Sequence, residues 1–338
     1  MKRAIILSAV SVAAFGSALL AQEHATPAAP APSVSQESRA PQSKPLGPSD
    51  ILLPHLVDSK HLEVPCWHGV ADYRAPDGTY HPAWGCSVHL PTWNVRLFGK
   101  TIDFGPTKHT VWLFISAVVV ALILILAARA HRRHSHATGH PKGFAAALEA
   151  IVLYLRNEVY IPALGGHGGE KYAPFCLTLF FFILVCNFFG LIPYGSTPTG
   201  NLAVTGGLAL ITFIVIEVAG MRALGKGYFG TVVYWPHDMG IGMKLPLTLI
   251  MTPIEIISKF TKPFALTIRL FANMVAGHVI ILSLVGLIFL FGWAVAIPVL
   301  GMSMFIMVLE TAIVVPIQAF IFSLLAAVFI GQIREAHH

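Results

Sequence analysis

Long apolar stretches separated by short polar breaks fill most of the chain after residue 110. Three of them, Val111–Ala128, Ala173–Pro193 and Leu202–Leu224, are close to the ~20 apolar residues that an α-helix needs to cross a hydrocarbon core. Gly, Ser, Thr and Pro fill the connection between the second and the third, which predicts a tight turn over residues 194–200. The pattern predicts three membrane-spanning helices of ordinary length.

Two longer apolar segments follow, Phe264–Phe291 and Val295–Ile333. As a helix, the second would be about 60 Å long at a rise of 1.5 Å per residue, whereas the hydrocarbon core is about 30 Å thick. A strong tilt, or a break at Pro298 or Pro316, has to absorb the excess. The two segments are therefore predicted to form a long, tilted helical hairpin.

Two other segments mix charged and apolar residues. In Phe144–Leu164 the apolar positions follow helical spacing, but charges such as Glu149 and Arg156 interrupt them. This pattern is typical of an amphipathic helix on the cytoplasmic membrane surface, with a soluble helix as the alternative. The stretch from Pro236 to Pro263 is interpreted as a loop that leads into an oblique helix from the cytoplasmic side.

Composition supports a membrane protein. Of the 338 residues, 55% are hydrophobic and only 11% are charged, against about 25% charged in average soluble domains. The basic run from Arg129 to His134 places the end of the first span on the cytoplasmic side, and no basic stripe interleaved with aromatics points to nucleic acid. The predicted fold is an all-α integral membrane protein with about five membrane helices, the last two a long tilted hairpin, plus a cytoplasmic-surface amphipathic helix.

The N-terminal part differs from the rest. Lys2 and Arg3 followed by an apolar run to Leu20 predict a signal peptide at 1–21, with an uncleaved anchor helix as the alternative. Residues 22–50, rich in Pro, Ala and Ser, predict a disordered periplasmic linker. Residues 51–109 predict a small periplasmic segment, and 110–338 form the membrane domain.

Cysteine positions follow the same division. Cys66 and Cys86 lie in the exported segment, where the compartment permits a disulfide, and we predict one between them. The histidines around them match no zinc-ligand spacing, so no metal site is expected. Cys176 and Cys186 fall in a predicted span and are interpreted as free, apolar cysteines.

Arg269 lies inside an otherwise apolar stretch. A guanidinium stays charged at any workable pH, and in hydrocarbon it costs roughly 3 to over 10 kcal/mol. We therefore interpret it as a functional site rather than as a snorkelling side chain at a helix end. At 100° per residue, Glu255, Ser258 and Asn273 fall near the same helix face, which predicts one polar strip.

Other polar residues interrupt the apolar segments. Gln318, on the last segment, is predicted to hold the guanidinium across the hairpin. His278 and Glu310 are predicted to form a pair that can pass protons. Glu217 is the only charge in the third span before Arg222 at its cytoplasmic exit, and it is a candidate for the same path. For each of them, the alternative is a static hydrogen bond or ion pair between helices.

Three motifs resemble those of a known family. Arg-Leu-Phe-Ala-Asn-Met-Val-Ala-Gly-His at 269–278 and Gln-Ala-Phe-Ile-Phe at 318–322 are similar to the signatures of subunit a of F-type ATP synthases. Asn187, shortly before Gly190–Pro193, matches a third and weaker signature. The resemblance covers about residues 105–338.

The resemblance implies that residues 110–338 form a membrane proton-channel domain, the stator half of a rotary machine. Arg269, with Asn273 and Gln318 nearby, would face a ring of c subunits that each carry a carboxylate. Protons would reach the ring through one half-channel and leave through another. The implied inlet residues are Asn187, His278 and Glu310, and the implied outlet residues are Glu255 and Ser258.

The resemblance also implies partners and location. We expect contacts with the c-subunit ring, the b-subunit peripheral stalk, the remaining ATP synthase subunits and membrane lipid. The chain would lie in the cell inner membrane, with its N-terminal segment periplasmic and its C-terminus cytoplasmic. The chain shows no P-loop, so we expect a non-catalytic subunit without a cofactor that couples proton flow to ATP synthesis elsewhere in the complex.

The chain departs from the family pattern at two places. Glu310 lies eight residues before Gln318, where seven would keep both on one helix face. A bulge near Pro316 could absorb the extra residue; without it, Thr311 takes the aligned position. Gly190 stands where some relatives carry an acidic residue.

Two other functions remain open at this point. A stand-alone transporter or ion channel could use Arg269 to bind an anion, although the sequence shows no inverted repeat. A membrane enzyme could use the histidines between His131 and His140 as a metal site, although they lack an HExxH-type spacing. The sequence is compatible with either a proton or a sodium ion as the transported ion.

Overall fold

The structure is a computed structural model that describes residues 58–64, 73–74, 80–81, 86–97, 100–103, 105–135, 143–165, 168–192, 195–233 and 241–335. The predicted signal peptide, the linker at 22–50 and Cys66 lie outside these ranges. The disulfide between Cys66 and Cys86 therefore stays a prediction.

Short antiparallel ribbons precede the first helix. They pair β1 (His61–Val64) with β4 (Cys86–His89), β2 (Tyr73–Arg74) with β3 (Tyr80–His81), and β5 (Asn94–Leu97) with β6 (Lys100–Asp103). The amide of Lys108 donates to the carbonyl of Ser59 at 2.9 Å. This bond attaches the start of the described segment to the first helix.

Helices make up most of the described chain. They are α1 (Lys108–Ser135), α2 (Phe144–Tyr154), α3 (Ile161–Ala163), α4 (Ala173–Gly190), α5 (Leu202–Leu224), α6 (Ile241–Phe291), α7 (Ala296–Leu309) and α8 (Val315–Glu335). Within the described ranges, five helical segments are long and apolar enough to cross a membrane, and α7 and α8 together form the last of them. The predicted fold class is confirmed.

The predicted surface helix is formed by α2, a π-helical turn at Leu155–Tyr160, and α3. Phe144 and Tyr154 are exposed on one side. On the other side, the hydroxyls of Tyr160 and Ser323 share a buried hydrogen bond of 2.7 Å. Burial raises the pKa of the Tyr160 hydroxyl above its ordinary value. The surface helix is thus fastened to α8 by a buried polar contact.

The first arm of the hairpin is longer than predicted. α6 is one helix from Ile241 to Phe291 that passes through Pro246, Pro253 and Pro263. A helix was predicted to follow a loop within residues 236–263; it begins at Ile241 and is continuous with the predicted first arm of the hairpin. Proline removes one backbone donor and can bend a helix, but apolar surroundings leave the remaining amides no better partners than the helix itself.

The second arm changes helix type once. α7 and α8 are joined without interruption by a π-helical turn at Glu310–Val314. α8 packs against α4 and α5, and its buried face presents small residues such as Ala319, Ala326 and Ala327. Small residues let membrane helices approach closely, so α8 forms the centre of the bundle.

Candidate functional site

Arg269 lies on the exposed face of α6. Leu266, Leu270 and Met274, spaced one helical turn apart, are buried against the bundle on a face centred about 100° round the helix from Arg269. This spacing turns the guanidinium away from the core. None of the residues in the described ranges offers the Arg269 side chain a hydrogen bond or an ion pair. The structure therefore presents a permanent cation on the outward surface of a largely apolar helix.

The predicted polar strip follows the same face of α6. Glu255 and Asn273 are exposed like Arg269, and Ser258 is half-buried. Because α6 is one helix from Ile241 to Phe291, residues at helical spacing along it lie near one face. The strip extends on both sides of the guanidinium.

Gln318 does not hold the guanidinium as predicted. Its side-chain amide donates to the backbone carbonyl of Arg269 at 3.3 Å. Because Arg269 points outward and Gln318 is buried in α8, only the backbone of Arg269 is within reach. Gln318 thus fixes the helix that carries the cation.

The π-helical turn places Glu310 on the buried side of the hairpin. The Glu310 side chain is 2% exposed, although on a regular α-helix its eight-residue separation from Gln318 would put the two on different faces. A π turn adds one residue to a helical turn, so both side chains face inward despite their eight-residue separation. The position of the bulge is Glu310–Val314 itself, just before Pro316.

The Glu310 carboxylate lies directly over Gly277. A Cβ atom at Gly277 would collide with both the carboxylate carbon and its oxygens. Both carboxylate oxygens are buried and have no hydrogen-bond partner among the described residues. A buried carboxylate without a partner is rare in proteins and marks this position as a functional candidate.

His278 and Glu310 do not form the predicted direct pair. The His278 Nε2 atom shares a hydrogen bond of 2.6 Å with the hydroxyl of Thr197, and no ion pair joins His278 to Glu310 within the described chain. The Glu310 carboxylate rests on Gly277, the residue before His278.

The turn between α4 and α5 supplies polar groups that the sequence analysis missed. The Thr197 side chain lies over Gly190, where a Cβ atom would collide with it. The buried hydroxyl of Thr199 donates to Asn187 Oδ1 at 2.5 Å, and Asn187 Nδ2 is buried without a partner in the described ranges. We call Asn187, Thr197, Thr199, His278 and Glu310 the turn cluster.

Threonines in a polar turn look like ordinary turn residues in a sequence. Only their burial inside the bundle distinguishes Thr197 and Thr199. The one available signal was Gly190, since a missing side chain in α4 leaves room for a neighbour.

Glu217 is held by a cation on the facing helix. Lys259 Nζ lies 3.5 Å from Glu217 Oε2, and it also donates to the hydroxyls of Tyr228 at 3.3 Å and Thr231 at 3.2 Å. These three bonds use all three donors of the ammonium. Glu217 therefore forms an ion pair between helices, which is the alternative that the sequence left open.

Polar groups thus lie on both sides of the outward cation. His278 is about 13 Å further along α6 than Arg269, and Ser258 is about 16 Å before it, at 1.5 Å per residue. Titratable or hydroxyl-bearing side chains on either side of Arg269 can pass protons to and from the membrane region beside it. No group of three or more metal-ligating side chains occurs among the described residues.

Known proteins match this chain over most of its length. A family model described as ATP synthase A chain matches residues 110–331. "ATP synthase subunit a" from Anaeromyxobacter dehalogenans (strain 2CP-C) is 37% identical over 94% of this chain and 88% of its own. "ATP synthase subunit a" from Myxococcus xanthus is 42% identical over 84% of this chain and 87% of its own. The protein of that name from Chloroherpeton thalassium is 44% identical over 72% and 70%.

Proposed function

The chain belongs to the ATP synthase A chain family, and on that premise we propose that it is the proton-conducting stator subunit of an F-type ATP synthase. Its membrane helices would provide two half-channels that meet a rotating ring of c subunits. The observation that carries this proposal is the outward-facing guanidinium of Arg269, which has no side-chain partner among the described residues and lies in an apolar part of α6.

The charge of Arg269 suits this task for a physical reason. A cation next to a carboxylate favours the ionised form of that carboxylate. Each ring carboxylate that reaches Arg269 would therefore give up its proton before it passes. The same fixed charge repels protons, so it separates the two half-channels and prevents a leak between them.

The turn cluster is proposed as the inlet half-channel. Asn187 bonds to Thr199 and His278 bonds to Thr197, and the buried Glu310 lies over Gly277, the residue before His278. Imidazole, hydroxyl and carboxyl groups exchange protons readily. A proton would move along these groups and neutralise a ring carboxylate.

The outlet is proposed on the other side of Arg269. Glu255 is exposed and Ser258 half-buried on the outward face of α6, with Asn273 next to the cation on the same face. Glu217 borders this region but is occupied by Lys259. Protons released at Arg269 would leave past Glu255 and Ser258.

The driving force comes from the membrane. One elementary charge that crosses 100 mV gains about 2.3 kcal/mol, and repeated crossings would turn the ring and drive ATP synthesis in a separate catalytic head. This chain itself would catalyse no reaction and hold no cofactor. We also propose contacts with the b-subunit peripheral stalk and placement in the inner membrane, with the N-terminal segment periplasmic and the C-terminus cytoplasmic.

Purification through an affinity tag on this chain tests the assignment. The proposal predicts that c subunits and the ATP-hydrolysing head purify with it from mild detergent. A chain that purifies alone and carries an anion across liposomes would overturn the proposal in favour of an independent transporter.

A further inference from the structure

His109 is a buried titratable side chain that the proposed inlet does not use. It lies in the first turn of α1 and is only 3% exposed. Neither ring nitrogen makes a hydrogen bond to any described residue. Buried polar side chains in native proteins almost always form hydrogen bonds, so an imidazole whose ring has only a 3.9 Å contact with Asp58 needs an explanation.

Asp58 connects this histidine to solvent. Its Oδ1 atom accepts a hydrogen bond from the His109 backbone amide at 3.2 Å and lies 3.9 Å from His109 Nε2. Its Oδ2 atom accepts from Asn201 Nδ2 at 3.4 Å. The Asp58 side chain is 23% exposed, against 4% for that of His109. The pair therefore runs from a solvent-accessible carboxylate to a buried ring.

The buried ring faces the turn cluster. The backbone carbonyls of Thr197 and Pro198 lie beside the His109 ring as acceptors, although neither has good hydrogen-bond geometry. The hydroxyl of the same Thr197 is bonded to His278. Thr197 thus stands between the two histidines, with its carbonyl towards one and its hydroxyl towards the other.

We propose that Asp58 and His109 are the proton-collecting end of the inlet half-channel. Asp58 would take a proton from water and pass it to one nitrogen of His109. The ring would release its proton from the other nitrogen towards Thr197 and His278, since imidazole can accept at one nitrogen and donate at the other. Every proton that enters also leaves, so neither residue is changed after a cycle.

The charges around His109 fit this role. The charged groups that face it are Asp58 and the ammonium of Lys108, which is itself buried. The negative charge is on the solvent side and attracts protons. Both collecting residues precede residues 110–331, the part matched by the family model. The inference therefore assigns a role to two residues outside the matched part, one before α1 and one in its first turn.

This inference rests on the proposed function, and one experiment separates the two. The purified complex is placed in liposomes with the catalytic head outward, so that the lumen corresponds to the periplasmic side. ATP synthesis is measured while the lumen is set between about pH 6 and about pH 9, with a potassium diffusion potential that holds the driving force constant. The variants are Asp58→Asn, His109→Gln and Asp58→Glu, with Arg96→Gln, on the exposed surface of β5, as a matched control.

At the alkaline end, where protons are scarce, Asp58→Asn and His109→Gln are expected to synthesise ATP about ten-fold more slowly than the wild type. Near the acid end they should approach it. Asp58→Glu should recover most of the rate, and Arg96→Gln should match the wild type throughout. If Asp58→Asn assembles poorly, His109→Gln alone decides the question.

Wild-type rates for both variants at every lumen pH would overturn this inference alone. An equal loss at every pH, without recovery in Asp58→Glu, would also overturn it, because a packing defect does not depend on proton supply. ATP synthesis by an Arg269→Ala complex would instead overturn the proposed function.

Discussion

The carboxylate of Glu310 lies on the backbone of Gly277, at a point where a single added methyl group would collide with it. The contact brings the two arms of the hairpin close together next to His278. It exists because one arm has no side chain at this position and the other contains a π-helical turn.

Gly277→Ala should therefore disturb the inlet without adding or removing a polar group. Overpacking of this kind costs about 1–3 kcal/mol, and we expect the carboxylate to move and proton pumping to fall. The measurement is ATP-driven acidification of inverted vesicles at matched assembly. Gly301→Ala is the control, since a Cβ atom there meets open space. Equal pumping by both variants would contradict the role given to this contact.

The π-helical turn should behave as a one-residue insertion. Deletion of Ile313, which is exposed, leaves Glu310 and Gln318 seven residues apart, within about 20° on an α-helix. We expect this variant to assemble and pump. Insertion of one alanine after Ile313 rotates the two by about 100° relative to each other and should abolish pumping. The same rate for both variants would show that their shared face does not matter.

Removal of Lys259 alone should destabilise the subunit more than removal of both Lys259 and Glu217. Lys259→Met leaves a largely buried carboxylate without its cation, which we expect to destabilise the subunit by about 1–3 kcal/mol. The double variant Lys259→Met/Glu217→Gln removes both charges and should recover most of that loss. Thermal stability of the purified complex checks this. A double variant that is less stable than Lys259→Met would argue against the pairing.

The buried hydroxyl of Tyr160 should fasten the surface helix to α8. Tyr160→Phe removes its bond to Ser323, while Ser323 keeps its bonds to the carbonyls of Ala319 and Phe320. We expect a loss of about 1 kcal/mol in stability. Tyr154→Phe, on the exposed side of the same helix, should cost nothing measurable.

The same residue gives a pH dependence. Burial raises the pKa of Tyr160, so the folded protein favours its neutral form. The stabilisation is complete below the ordinary tyrosine pKa of about 10 and is lost as pH rises above it. The stability difference between wild type and Tyr160→Phe should therefore be constant at neutral pH and shrink in strong alkali. A difference that shrinks below neutral pH would contradict this assignment.

Much of the fold follows from local patterns. The bounds of α5 were predicted correctly because an apolar run of membrane length begins directly after Asn201. As the N-cap, the Asn201 side chain accepts a hydrogen bond from the amide of Ala203. The residue at which α6 begins, Ile241, could not be read from the sequence, because three prolines and several charges resemble the loop signals of soluble proteins. In an apolar medium the helix continues through them.

The candidate site was predictable only in part. Arg269 and its polar strip follow from helical spacing and the cost of a buried charge. The partners of His278 and Glu217 do not, because Thr197 and Lys259 are distant in sequence and carry no local signal. The placement of Glu310 was partly predictable. The sequence shows that Glu310 and Gln318 share a face only with a bulge between them, whereas the position of that bulge is known only from the structure.

The most direct test of the central claim is ATP-driven acidification of inverted membrane vesicles that contain Arg269→Ala, compared with the wild type at equal amounts of assembled complex. Arg222→Ala, an exposed arginine at the end of α5, serves as the control. Arg269→Ala is expected to abolish acidification, whereas Arg222→Ala should pump normally. The catalytic head released from the Arg269→Ala vesicles should still hydrolyse ATP. Undiminished acidification by Arg269→Ala would contradict the central claim.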